Sequence, residues 1–276
     1  MCIFVRQNVE NKDMNEVITS VQNGRVKRVL ALQQKSSERR REGLFVVEGR
    51  RELGHLIEAG YEVDTVLFCR ELLDEVSFVE RIPCRERVEV SSYVYGKIAY
   101  RESTEGIMAL VQEQKLGLQD LKLSEKSLVV VLERVEKPGN LGAILRSADA
   151  AGADAVIVCD PLTDLYNPNL IRSSIGACFT VPTVACTSEE CIRFLKEMGV
   201  QILTAQLQDS SLYYDVDMKV ATALVMGTES TGLTQVWRDA ADSHIRIPML
   251  GRLDSLNVSV STAILLFEAV RQRNSC

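Results

Sequence analysis

Long apolar runs are absent from this 276-residue chain. No stretch approaches the about 20 residues that a helix needs to cross a bilayer. The apolar run in the opening MCIFVRQNVENKD is too short for a signal peptide. These two absences exclude a membrane partner and make the cytoplasm the expected location. Histidine is nearly missing, with only His55 and His244, and the eight cysteines include no C-x-x-C pair. A zinc site therefore lacks recognisable ligands, no metal is expected, and the thiols read as structural or incidental. Cys159, inside the apolar run VIVCD, fits that reading as a small hydrophobe. Neither G-x-G-x-x-G nor G-x-x-x-x-G-K-[ST] occurs, which counts against an ordinary NAD- or ATP-binding fold. Positive charge is in deficit, with 32 lysines and arginines against 38 acidic residues. That balance argues against a generic nucleic-acid binder.

The charge is nevertheless uneven. Between Arg25 and Arg51 nine basic residues stand against three acidic ones, with Lys27, Arg28, Arg39, Arg40 and Arg41 among them. Such a cluster reads either as a footprint for RNA phosphates or as a solvated helix face.

Two segments of different rhythm follow a polar leader at residues 1–18. In the first, residues 19–115, apolar positions 21, 26, 29, 30 and 32 predict a helix. LFVVEG, VDTVLFC and EGIMALVQE predict strands, RRELGHLIEAG a helix ended by Gly60, and RVEVSSYVYGKIAY a short strand and helix. Together these make a small α/β unit. Residues 116–126 form a polar linker whose leucines call for a packing partner. The second segment, 127–276, opens with SLVVVLE, a run expected of a strand buried on both faces. DAVIVC, PTVAC, VQILTAQ, ATALVMG and HIRIPM are further strands, separated for the most part by helical stretches, so a parallel sheet is predicted.

Parallel sheets bind ligands beyond the carboxyl ends of their strands, and three glycine-bearing loops fall there: ERVEKPGNLGAILR, GTESTGLTQ and GRLDSLNVSVST. In the first, Asn140 is placed to cap a helix. Arg146 sits two turns into that otherwise apolar helix, where a charge calls for a partner, a substrate or solvent. In the second, Gly227 and Gly232 permit close backbone approach, and Glu229 is either a turn carboxylate or a catalytic one. In the third, the small polar residues Ser255, Asn257, Ser259 and Ser261 precede an apolar helix, as a cap or as a surface for something close.

Together the three loops resemble, in order and spacing, the motifs of the SpoU-like branch of the SPOUT superfamily, the RNA ribose 2′-O-methyltransferases. PGNLGAILRSADAAGADAVIV, LVMGTESTGL and IRIPMLGRLDSLNVSVSTAILLFEA carry the likeness over residues 127–273. RVKRVLALQQKSSERRREGLFVVEG and STEGIMALV are similar to the RNA-substrate-binding domain that often precedes it. The resemblance implies a C-terminal parallel-sheet SPOUT domain with a deep trefoil knot, a rare departure from unthreaded topology. Small side chains at Ser255, Ser259 and Ser261 would suit a backbone packed inside another loop. It also implies S-adenosylmethionine as cofactor, lined by Gly227, Ile247 and Leu256. Arg146 is the implied catalytic residue, with Asn140, Glu229, Ser255 and Asn257 around it.

A guanidinium is always protonated, so Arg146 is better read as holding a phosphate or a developing alkoxide, with Glu229 as reserve proton acceptor. Relatives of this kind dimerise through the catalytic domain, which makes a homodimer the expected state and lets Arg146 serve its partner's pocket. Two positions depart from the family pattern: Lys137 replaces an aspartate, and Ser230 a glycine. The extra N-terminal domain favours ribosomal over transfer RNA as substrate. A base methyltransferase, a non-catalytic RNA-binding assembly factor and a nucleotide-cofactor oxidoreductase are the competing readings. The last of these lacks its glycine fingerprint.

Overall fold

The computed structural model describes residues 17–100, 105–228 and 231–274. Contacts divide the chain into two compact units. One comprises residues up to Leu53 with Glu62–Gln112, the other Gly54–Tyr61 with the chain from Glu113 onward.

In the first unit, helices α1 (Gly24–Gln34) and α2 (Ser36–Glu42) precede strand β1 (Leu44–Glu48). Helix α3 (Arg50–Glu58), whose residues from Gly54 onward count with the second unit, strand β2 (Val63–Phe68), helix α4 (Val76–Arg81), strand β3 (Cys84–Glu89), helix α5 (Ser92–Ile98) and strand β4 (Ile107–Gln112) follow. Among the described residues the sheet order is β1-β4-β2-β3, antiparallel except for the β2–β3 pair. Val26, Val29 and Leu32 of α1 bury against Leu44, Val46 and Leu67 of the sheet and against Tyr95 and Ile98 of α5. The apolar rhythm starts at Val21, yet α1 begins only at Gly24, because the Asn23 side chain accepts the Arg25 N–H and so sets the first turn.

One basic residue departs from its expected role here. Arg39, read from the sequence as a phosphate ligand, is 2% exposed. Its guanidinium donates to the carbonyls of Leu32 and Gln33 at the end of α1. The last carbonyls of a helix have no partner within it, and Arg39 supplies one. A charge used in this way is not available to RNA.

In the second unit every strand pairing is parallel. Strand β5 (Leu128–Glu133), helix α6 (Pro138–Ala150), strand β6 (Ala155–Cys159), helices α7 (Pro168–Ser174) and α8 (Ala177–Thr180), and strand β7 (Thr183–Cys186) come first. Helix α9 (Ser188–Glu197), strands β8 (Gln201–Ala205), β9 (Ser211–Leu212) and β10 (Thr222–Gly227), helix α10 (Gln235–Ala240), strand β11 (Ser243–Arg246) and helix α11 (Val258–Asn274) complete it. The sheet order is β7-β6-β5-β10-β8-β11-β9.

The central strands are buried on both faces, as their unbroken apolar runs require. Val130 and Leu132 pack with Leu141, Ile144 and Leu145 of α6 and with Leu265 and Leu266 of α11. Val129 and Val131, one residue out of step, face Cys191, Leu195 and Trp237. Leu121 joins that second face, with Leu118 and Leu123 against it, so the polar linker is packed down by its leucines. The two-residue β9 carries no periodic signal. The break between α7 and α8 comes from Ile175 and Gly176, both in left-handed backbone.

The end of α11 is fastened by one side chain. Arg273 donates to the carbonyls of Lys126, Ser127, Met218 and Val220, joining the last helix to the residues leading into β5 and β10. Replacing Arg273 with alanine strands those carbonyls and is expected to cost about 2–3 kcal/mol. Arg273→Lys is expected to recover little, because an ammonium cannot fork across four acceptors. Urea unfolding followed by fluorescence of Trp237, the single tryptophan, measures both.

Candidate active site

The loops after β5, β10 and β11 leave the carboxyl edge of the sheet and close around a cavity of about 500 Å³. Asn140, Gly227, Ile247, Ser255, Leu256 and Asn257 all line it. The volume suits a small-molecule ligand.

Gly227 ends β10 at φ +135°, and a Cβ there would stand 2.3 Å from the carbonyl oxygen of Glu133. Only glycine lets the two strand ends run this close. Beyond it, Thr228 Oγ1 accepts the Thr231 N–H and donates to the Gly232 carbonyl, folding the loop on itself. The far side of the loop is held by Glu133. That carboxylate, 1% exposed at the end of an apolar strand, accepts from Thr234 N at 2.9 Å and Thr234 Oγ1 at 2.6 Å. Sequence reasoning passed over Glu133. Its signal was a lone carboxylate closing a strand of valines and leucines.

The first and third loops meet through two amides. Asn257 Oδ1 accepts from Ser259 N at 2.9 Å and Ser259 Oγ at 2.7 Å, which caps α11. Its Nδ2 then donates to Asn140 Oδ1 at 3.2 Å. Asn140 is therefore not the cap of α6. That helix begins at Pro138 with Lys137 as N-cap, and Asn140 lies inside the first turn, facing Asn257. Proline at the first helical position needs no N–H, which moves the helix start ahead of the asparagine. Ser255 is exposed, Ser259 and Ser261 are half-buried, and Ser255 and Ser261 line the cavity.

Cations outnumber acids around the cavity. Lys137, Arg238 and Arg246 line it against Asp254 among the described residues. Arg238 is held by an Nε donation to the Leu233 carbonyl at 3.1 Å. It stands at none of the site positions read from the sequence. A concave, positively lined site favours a ligand carrying carboxylate or phosphate.

Arg146 stands elsewhere. It is exposed on α6, does not line the cavity, and makes no hydrogen bond or ion pair among the described residues. Glu229 lies outside the described residues. Of the basic cluster in the first unit, Arg28 pairs with Glu42 at 2.6 Å, and Arg41 pairs with Glu38 and Glu42. Lys27 and Arg40 are exposed and carry no ion pair among the described residues.

With this geometry, a family comparison decides the class. The SpoU rRNA Methylase family model matches residues 127–267. The chain belongs to that family. An MRM3-like substrate binding domain model matches residues 23–109. The chain is 32% identical over 268 residues to the 23S rRNA (uridine(2479)-2′-O)-methyltransferase of Streptomyces viridochromogenes, covering 94% of this chain and 93% of that protein. It is 30% identical over 250 residues to the 23S rRNA (guanosine(2553)-2′-O)-methyltransferase RlmP of Bacillus subtilis, covering 91% and 97%. Among solved structures, an AdoMet-bound rRNA methyltransferase from Sinorhizobium meliloti superposes with a TM-score of 0.85 at 31% identity, covering 94% of this chain and 99% of that one. The chain is accordingly an RNA methyltransferase, and its three motif loops are the ones that form the cavity.

S-adenosylmethionine fits the cavity on this chain's own features. Gly227 admits close main-chain approach, the volume is that of a nucleoside-sized ligand, and the cationic lining suits a carboxylate. Gly227→Ala is expected to lose about 1–3 kcal/mol of stability through strained backbone and the clash with Glu133, and to abolish cofactor binding by calorimetry. Gly251→Ala, where nothing lies within 4 Å of the added carbon, is expected to leave both unchanged.

Proposed function

We propose that this chain methylates a ribose 2′-hydroxyl of ribosomal RNA, with 23S rRNA the substrate to test first. The reading is carried by the closure of three motif loops on one cavity, pinned by the Asn140–Asn257 bond. S-adenosylmethionine, when bound, supplies a methyl group already activated on a sulfonium, so the chemistry calls for alignment and proton removal rather than a metal.

The chain's residues divide that work. Gly227, Ile247 and Leu256 hold the cofactor, largely through main-chain groups. Arg238 and Arg246 neutralise a carboxylate at the cavity wall. Asn140, Ser255 and Asn257 orient the ribose. Arg146 binds a backbone phosphate or the developing alkoxide through a guanidinium that stays charged, and Glu229 is the reserve proton acceptor.

The outward position of Arg146 supports a homodimer in which it enters the partner's cavity. So does the apolar surface beside the site, where Leu250 is 97% and Leu253 74% exposed and Val260 and Phe267 on α11 are exposed as well. Patches of this kind on a soluble protein mark interaction surfaces. The proposal includes threading of the C-terminal segment into a trefoil knot. It also takes residues 19–115 as the RNA-substrate-binding domain, joined through 116–126 to the catalytic domain of 127–276.

Within the first domain Lys27 and Arg40 are assigned to phosphates first. Arg28 and Arg41 can join them, because exposed ion pairs are worth at most about 1 kcal/mol and exchange easily.

The test is transfer of labelled methyl from S-adenosylmethionine to ribosomal RNA from a strain lacking the gene. Arg146→Ala is expected to reduce transfer by about 10²–10³-fold at unchanged thermal stability, since the side chain is exposed and unpaired. Retention of most of the rate would overturn its role, and label on the base rather than the ribose would overturn the reaction. Lys27→Ala and Arg40→Ala are each expected to weaken RNA binding and flatten its salt dependence by about one unit of slope. Arg39→Ala is expected to lower the melting temperature instead.

A further inference from the structure

Three cysteines from two strands and a helix converge on the face of the second sheet that packs against α9. The Sγ atoms of Cys159, Cys186 and Cys191 all lie within 4.8 Å of one another. Cys159 and Cys186 end the adjacent parallel strands β6 and β7 and are register partners, so their side chains leave the sheet on the same side. Cys191 reaches them from the first turns of α9. Cys159 and Cys191 are fully buried, and Cys186 is half-exposed and opens the cluster to solvent.

The cluster is held by a surrounding polar network. Asp160 N–H donates to the Cys186 carbonyl at 2.9 Å. The Asp160 carboxylate accepts from Ser188 Oγ at 2.6 Å, and Ser188 Oγ in turn accepts from the Trp237 indole N–H at 3.0 Å. At the start of α9, Thr187 and Glu190 bond reciprocally through side chain and backbone, fixing the helix that carries Cys191. Each thiol therefore sits on backbone tied to the other two, which is the support that orients metal ligands. The N-terminus of α9 lies next to Cys186 and favours negative charge there. Hydrogen bonds from Cys159 and Cys191 hold the Cys186 thiol well below the ordinary thiol range, and the bond with Cys186 pushes Cys159 up.

The geometry points to a binding site for a thiophilic d10 cation, held by the three sulfurs of Cys159, Cys186 and Cys191 in trigonal coordination, with Cu(I) its fitting occupant. Three sulfurs around a cation at about 2.3 Å stand about 4.0 Å apart, within the observed separation. Soft thiolates select Cu(I) and Zn(II) over harder ions. Zn(II) held by three protein ligands takes a water as its fourth, whereas the three sulfurs that the group offers among the described residues complete the set for Cu(I) by themselves. Loading forms three metal–sulfur bonds and releases the protons still on the sulfurs, so affinity rises with pH.

The test uses the full chain, reduced and kept anaerobic, titrated with Cu(I) against a colorimetric Cu(I) chelator. One equivalent withheld from the chelator, with three sulfur neighbours by X-ray absorption, is expected. That equivalent is expected to disappear in Cys186→Ser, which alters a half-exposed position, and in Cys191→Ala. Cys84→Ser, outside the cluster, is expected to retain it. Circular dichroism of each variant separates lost binding from lost folding. Complete removal of copper from the wild-type chain by the chelator, or equal retention by a folded Cys186→Ser, would overturn the site. Retention of Zn(II) but not Cu(I) would overturn the three-coordinate assignment.

Discussion

The catalytic half of this protein depends on one close approach between strand ends. Gly227 at the end of β10 lies so near the Glu133 carbonyl at the end of β5 that no side chain fits between them. The same Glu133 reaches past the gap with its carboxylate and fixes Thr234, where the loop turns into α10. One residue thus closes the loop at both ends, through its main chain and its side chain. A buried carboxylate is costly unless its hydrogen bonds are made, and here they are. That requirement couples the shape of the loop after β10 to the stability of the sheet beneath it.

The third loop is tied in by a second economy of groups. Asn257 uses its oxygen to start α11 and its nitrogen to hold Asn140 on α6. Arg273 anchors the far end of α11 to the residues before β5 and β10. The last helix is therefore held at its start by α6 and at its end by the residues leading into β5 and β10. The first unit follows a different logic, because its charges are distributed between structure and solvent. Arg39 completes a helix end, Arg28 and Arg41 pair with nearby glutamates, and Lys27 and Arg40 remain exposed without an ion pair among the described residues.

Most elements were legible because their signals are local. Short apolar runs rich in valine, such as LVVVL and AVIVC, read as strands buried on both faces, and the α/β alternation then implies a parallel sheet. The elements passed over were those without periodicity: the two residues of β9 and the short helices α2, α4, α7 and α8. The cavity-lining residues Asn140, Gly227, Ile247, Ser255, Leu256 and Asn257 were named from motif position. Arg39 and the capping role of Asn140 were misread, because burial and helix start depend on neighbours that the local pattern does not contain.

The sequence by itself determined most strand and helix identities and the carboxyl-edge placement of three glycine loops, which follow from side-chain period and from residue types along the chain, and the resemblance of those loops to known motifs pointed to the family. Only the tertiary structure decided which polar groups meet. Asn140 and Asn257 are 117 residues apart, and Glu133 and Thr234 are 101 apart. It likewise turned Arg146 outward and gathered Cys159, Cys186 and Cys191, whose spacing matches no metal motif, into one cluster. A hydrogen bond or a metal ligand set is satisfied by proximity in space, and proximity is fixed by how strands stack in the sheet, not by their order in the chain.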